Sequence, residues 1–91
     1  MNHEEALVNM VASIVADYGS EGATLGQIEG KLPVQAISKA REELSLEAYS
    51  TNSSVLSLII GKLIREFVIT IKQTMSYQNT YVLVTQSQKI R

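Results

Sequence analysis

The sequence predicts an α+β domain, a bundle of short helices closed by a C-terminal β-hairpin. Three observations lead there. Apolar residues recur at helical spacing from Leu7 to Ile64. Glycine, proline and polar breaks cut that region into short pieces. From Phe67 the pattern changes to β-branched runs too short for another helix.

Each element follows from its residues. Glu4 to Tyr18 carries Leu7, Met10, Val11, Ile14, Val15 and Tyr18 at the spacing of one helix face. Glu4 and Glu5 suit the positive end of that helix, and Gly19 ends it. Thr24 to Lys31 predicts a second, short helix, with Thr24 and Gln27 spaced for a capping box. Its buried stripe is Leu25, Ile28 and Leu32. Pro33 stops it and opens the next helix at its first position. Val34, Ile37, Ala40, Leu44 and Ala48 then line one side of a third helix. Tyr49 to Ser53 is a polar break ending in capping residues, and Ser54 to Glu66 predicts the last helix. Val55, Leu56, Ile59, Ile60, Leu63 and Ile64 fill half its wheel, while Leu58 falls among the polar residues of the other half. Phe67 to Gln73 and Thr80 to Thr85 predict two antiparallel strands, with Thr74 to Asn79 as the loop. A short third strand is expected near Ala23.

The composition sets bounds on function. Ninety-one residues, 45% hydrophobic and 19% charged, suffice for one modest core. The expectation is a single domain over residues 1–91, with its core at about 4–86 and a polar tail at 87–91. One Phe, four Tyr and no Trp make that core aliphatic. The absence of Cys removes disulfides and thiolate metal sites. The start, Met1 to Glu5, has no basic cluster and does not read as a signal peptide. No apolar run approaches the roughly 18 residues of a membrane helix. An intracellular protein with no membrane partner is expected.

Catalysis finds no foothold. The sole His, His3, lies at the terminus and completes no Ser-His-Asp set. Neighbouring pairs such as Glu42 and Glu43 diverge on a helix and cannot share one site. No metal-ligand spacing and no phosphate-loop glycine pattern is present. The expectation is therefore a binding protein without enzymatic activity, cofactor, metal or small-molecule substrate. The net charge of −1 conceals an asymmetry. Residues 1–49 hold eight acids and three bases, and residues 50–91 hold five bases and one acid. Such a split hints at one basic surface.

The run from Ser53 through Thr85 carries a resemblance. A half-buried helix leads into Arg65-Glu66-Phe67-Val68-Ile69-Thr70 and closes with Tyr81-Val82-Leu83-Val84. This resembles the recognition helix and wing of winged-helix domains, a variant of the helix-turn-helix. The spacing is similar to that of the linker-histone globular domain and, more distantly, the LOTUS domains of RNA-granule proteins. Linker-histone domains are strongly basic and this chain is not. The segment Pro33 to Ser50 is also longer than the simplest winged helix needs.

The resemblance implies nucleic-acid binding, DNA ahead of RNA, by the last helix and the wing. On that implication Ser54 and Ser57 donate to phosphates, and Lys62 and Arg65 pair with them. Lys72, Tyr77, Gln78 and Asn79 supply the wing. The alternative is a winged helix that binds a protein or a second copy of itself. The near-neutral balance, the exposed Leu58 and a free hairpin edge suit that alternative.

Overall fold

A computed structural model describes residues 2–45, 51–75 and 78–85, with the side chains of 73–75 and 78 outside the description. Over these residues the chain is α+β, with four α-helices and a three-stranded antiparallel sheet.

The first helix, α1 (His3–Tyr18), starts because Asn2 stays extended and its side chain accepts the N–H of Glu5 at 2.6 Å. A second cap comes from far along the chain. The Glu43 carboxylate accepts the N–H groups of His3 at 2.8 Å and Glu4 at 2.9 Å. These are donors that a helix N-terminus leaves without an internal partner. Leu7, Val11 and Val15 form the buried stripe. Gly19 closes the helix at φ +61°, as expected, and begins a 3₁₀ turn over Gly19–Glu21.

The strand expected near Ala23 is β1 (Ala23–Thr24). The expected capping box is also present. The Gln27 N–H donates to Thr24 Oγ1 at 3.2 Å, and the Thr24 N–H donates to Gln27 Oε1 at 2.9 Å. They open α2 (Leu25–Lys31). Pro33 caps α3 (Val34–Glu43) from the extended region, so it precedes the helix rather than occupying its first position.

α3 also departs from expectation at both ends. Val34 is 70% exposed and contributes nothing to the buried side, which rests on Ile37 and Ala40 with Leu44 half-buried. The helix ends at Glu43, with Ser45 at φ +59° and its N–H donating to the carbonyl of Glu42. The expected continuation to Ala48 falls on residues 46–50, outside the described residues.

α4 (Asn52–Arg65) begins two residues earlier than its apolar pattern suggests. Thr51 Oγ1 accepts the N–H of Ser54 at 3.0 Å, so the cap lies inside the predicted polar break. The helical wheel holds. Val55, Leu56, Ile59, Ile60 and Leu63 are buried, Ile64 is half-buried, and Leu58 is exposed.

The sheet has the order β1-β3-β2. β2 (Ile69–Met75) and β3 (Gln78–Leu83) pair over Ile69↔Leu83 to Met75↔Gln78. β1 pairs with β3 over Ala23↔Tyr81 and Thr24↔Thr80. Two predictions change here. β2 starts at Ile69, because Phe67 and Val68 are used to close α4. The strands extend into the predicted loop, because Thr74, Met75, Gln78 and Asn79 are paired strand residues, and positions 76–77 lie outside the described residues. The buried side chains of α1 to α4, with Ala23 and Ile69, form one aliphatic cluster, and Tyr81 and Leu83 pack against it.

Candidate interaction surface at the end of the fourth helix

Ser54 and Ser57 are exposed on α4, though the Ser54 Oγ already lies 2.9 Å from Thr51 Oγ1 within the cap. Arg65 is exposed on the last turn. Its guanidinium folds back toward Gly61, where a Cβ would meet Nη1 at 3.5 Å. Lys62 turns toward α1, with its ammonium 3.7 Å from Glu4 Oε2. Around that pair lies a cleft of about 310 Å³ bordered by Glu5, Val8, Asn9 and Glu66. Glu4 is the carboxylate paired with Lys62, while Glu5 and Glu66 only border the cleft.

Lys72 is the extra residue at a bulge. The register passes from Ile71↔Tyr81 to Gln73↔Thr80 and leaves Lys72 without a partner across the ladder. A bulge re-aims the side chain it carries. Here the ammonium donates to the carbonyl of Glu21 at 3.3 Å, on the 3₁₀ turn beyond α1. Gln78 and Asn79 stand in β3 opposite Met75 and Thr74, rather than on a loop. Tyr77 lies outside the described residues.

Two of the three expected cations, Lys62 and Lys72, therefore do not converge. Lys62 contacts the first turn of α1 and Lys72 contacts the turn after its last residue. The 16 residues of α1 at 1.5 Å each put these contacts roughly 20 Å apart.

The sequence pattern missed the feature that stands out at the same place, Phe67. Its N–H donates to the carbonyl of Ile64, and the N–H of Val68 donates to that of Leu63, both at 3.0 Å. This pair of bonds is the Schellman closure of a helix, which needs a left-handed residue, usually glycine. Phe67 occupies it at φ +61°. The conformation costs a residue with a side chain about 1 kcal/mol relative to glycine. The side chain is nevertheless 80% exposed, so burial does not offset that cost. Val68 and Ile71, beside it along the chain, are also partly exposed at 37% and 45%. The available signal was the spacing of Leu63 and Val68, since the Schellman closure brings such a pair into apolar contact.

Among the described residues no group of three or more His, Cys, Asp or Glu is arranged to hold a metal ion. No described helix is long and apolar enough to cross a membrane. No protein-family model, curated protein or solved structure matches the chain.

Proposed function

We propose that this chain is a winged-helix-type module, one domain over its length, that binds a protein partner through the end of α4 and the start of β2. The observation that carries the reading is Phe67. A large aromatic side chain is held out to solvent by a backbone conformation that works against stability. Strain kept at an exposed position points to a use for that position. Aromatic anchors are what protein interfaces are built around. The order α1-β1-α2-α3-α4-β2-β3 supports the winged-helix part of the reading. The internal contacts of Lys62 and Lys72 support a protein partner over a phosphate backbone.

A photo-crosslinking phenylalanine analogue at position 67 of the full chain, expressed in cells, tests this. A protein adduct is expected at position 67, and none from the same analogue at the exposed Asp17. The reading fails if position 67 gives no protein adduct.

A second reading has its own observation. Ser54, Ser57 and Arg65 are exposed on one strip of α4, which suits contacts to nucleic-acid phosphates. Arg65→Glu then weakens duplex binding and lowers the salt slope by about one unit, whereas extending the change to Lys62 and Lys72 also breaks their internal contacts. A wild-type chain that binds neither duplex nor single strands at low salt excludes it.

A further inference from the structure

We infer that the partner of the Phe67 surface is a second copy of this chain, with Phe67 of one copy seated in a groove on the next. This rests on the protein-interaction reading and names its partner. The groove is a separate hollow from the cleft beside Glu66. Met10, Ser13, Ile14, Lys31, Leu32 and Pro33 line a hollow of about 220 Å³ between α1 and the end of α2. Its walls are mostly apolar, and Met10 is left 38% exposed. Lys31 stands at the rim, with its ammonium 4.7 Å from the centre of the Tyr18 ring.

Charge complementarity identifies the occupant. The residue before Phe67 is Glu66, exposed at the C-cap of α4. An aromatic side chain entering the apolar hollow carries a carboxylate with it, and the rim presents an ammonium to meet it. The backbone of Phe67 is already fixed by the helix closure, so docking does not have to order it, which favours association.

The geometry prevents a copy from filling its own groove. At 100° per residue, Met10 and Ile14 lie on one flank of the Leu7-Val11-Val15 stripe, and Ser13 lies toward the outer side of the helix. Val8 and Glu5 lie on the opposite flank, where they border the cleft that includes Lys62 and Glu66. Knob and groove thus occupy different faces. A contact between unlike faces is heterologous and leaves a free knob and a free groove at the ends of every assembly. One aromatic side chain brings roughly 150–250 Å² to the contact, well below a standard stable interface. Association is therefore weak and grows with concentration.

Sedimentation of the full chain up to about 1 mM, a range chosen for a weak interface, tests this. The wild type is expected to exceed the mass of a dimer as concentration rises. Phe67→Gly, which relieves the backbone strain and keeps the fold, and Met10→Glu, whose fold is checked by circular dichroism, should each remain monomeric. Mixed one to one, they should form a complex that stops at two copies, because one variant retains the groove and the other the knob. Lys31→Glu and Glu66→Lys should each weaken association two- to five-fold, and the double variant should restore it.

A wild type that stays monomeric to about 1 mM overturns the inference, as does association unchanged in Phe67→Gly or a mixture of the two variants that stays monomeric. If the analogue at position 67 meanwhile crosslinks to a different protein, the interaction reading stands and only the self-partner falls. If position 67 yields no protein adduct either in cells or in the purified chain at about 1 mM, both fall.

Discussion

Two helices of this chain end at the same φ of +61°, one on Gly19 and the other on Phe67. At the end of α1 the backbone runs on to ψ −147°, a region that essentially only glycine enters. The residue there is the one the geometry demands. At the end of α4 glycine would again be the easiest choice, and the chain carries an exposed aromatic instead. The first end is built for folding alone. The second carries a cost that glycine would avoid, and it is there that we propose an interaction surface. The same contrast separates the cations of α4 and β2 from their expected task, because Lys62 and Lys72 are held by Glu4 and the Glu21 carbonyl.

The strongest way to break the comparison is to remove what holds the strained end in place. Ile60 is 3% exposed on the buried face of α4. Ile60→Asp should unfold the chain by several kcal/mol, because an unpaired carboxylate would sit in an aliphatic core. A cooperative urea melt close to that of the wild type would show that α4 is not packed as described.

Gly22 sharpens the glycine side. It sits at φ +85°, and a Cβ there would meet Thr80 Cβ at 3.1 Å and Val82 Cγ1 at 3.2 Å. Gly22→Val should cost roughly 3 kcal/mol, from backbone strain together with the clash. At Gly19 a Cβ would meet nothing within 4 Å, so Gly19→Ala should cost only the backbone part, about 1–2 kcal/mol. Chemical denaturation of both variants checks the order, and equal losses would contradict it.

Phe67→Gly is the opposite case and should stabilise the chain by about 1 kcal/mol. The rise in Tm is the measurement. A fall would mean that the ring contributes to the folded state and that its exposure is not a sign of function.

The smallest effect belongs to Glu43. Its carboxyl is held below its ordinary value of 4.5, first by the N–H of Glu4 and then by that of His3. A carboxylate whose folded value is lowered adds stability that is present above the ordinary value and is lost as pH falls through the lowered one. Glu43→Gln should therefore lower Tm at pH 7, and the gap to wild type should close below about pH 4.5. A gap independent of pH would point to packing instead of charge.

The parts that could be read directly are those whose partners are near in sequence. The Thr24-Gln27 capping box spans three residues. Gly19 ends α1 by its own backbone preference. The stripe Leu7-Val11-Val15 and the α4 half-wheel are helical periodicity, which needs no knowledge of neighbours. What escaped depends on contacts across the chain. Phe67 looks like the start of a strand because its pattern is β-branched. It becomes a helix terminus because the Val68 N–H donates to the Leu63 carbonyl while the Val68 carbonyl accepts the N–H of Val84 at 2.9 Å. The bulge at Lys72 arises from the register against β3, and a strand's own alternation cannot show it.

The candidate site divides along the same line. That Ser54, Ser57, Leu58 and Arg65 share the exposed side of α4 was determined by the sequence alone, because a period of 3.6 residues sorts them from the buried face. Where the charges act was decided only by tertiary structure. Glu43 reaches α1 across 39 and 40 residues, Lys72 reaches Glu21 across 51, and Lys62 finds Glu4 only when α1 and α4 pack together. The physical reason is range. Periodicity, capping and backbone preference act over a few residues and are written into short stretches of chain. An ion pair, a bulge or a distant cap depends on which elements become neighbours, and the packing of the whole core sets that.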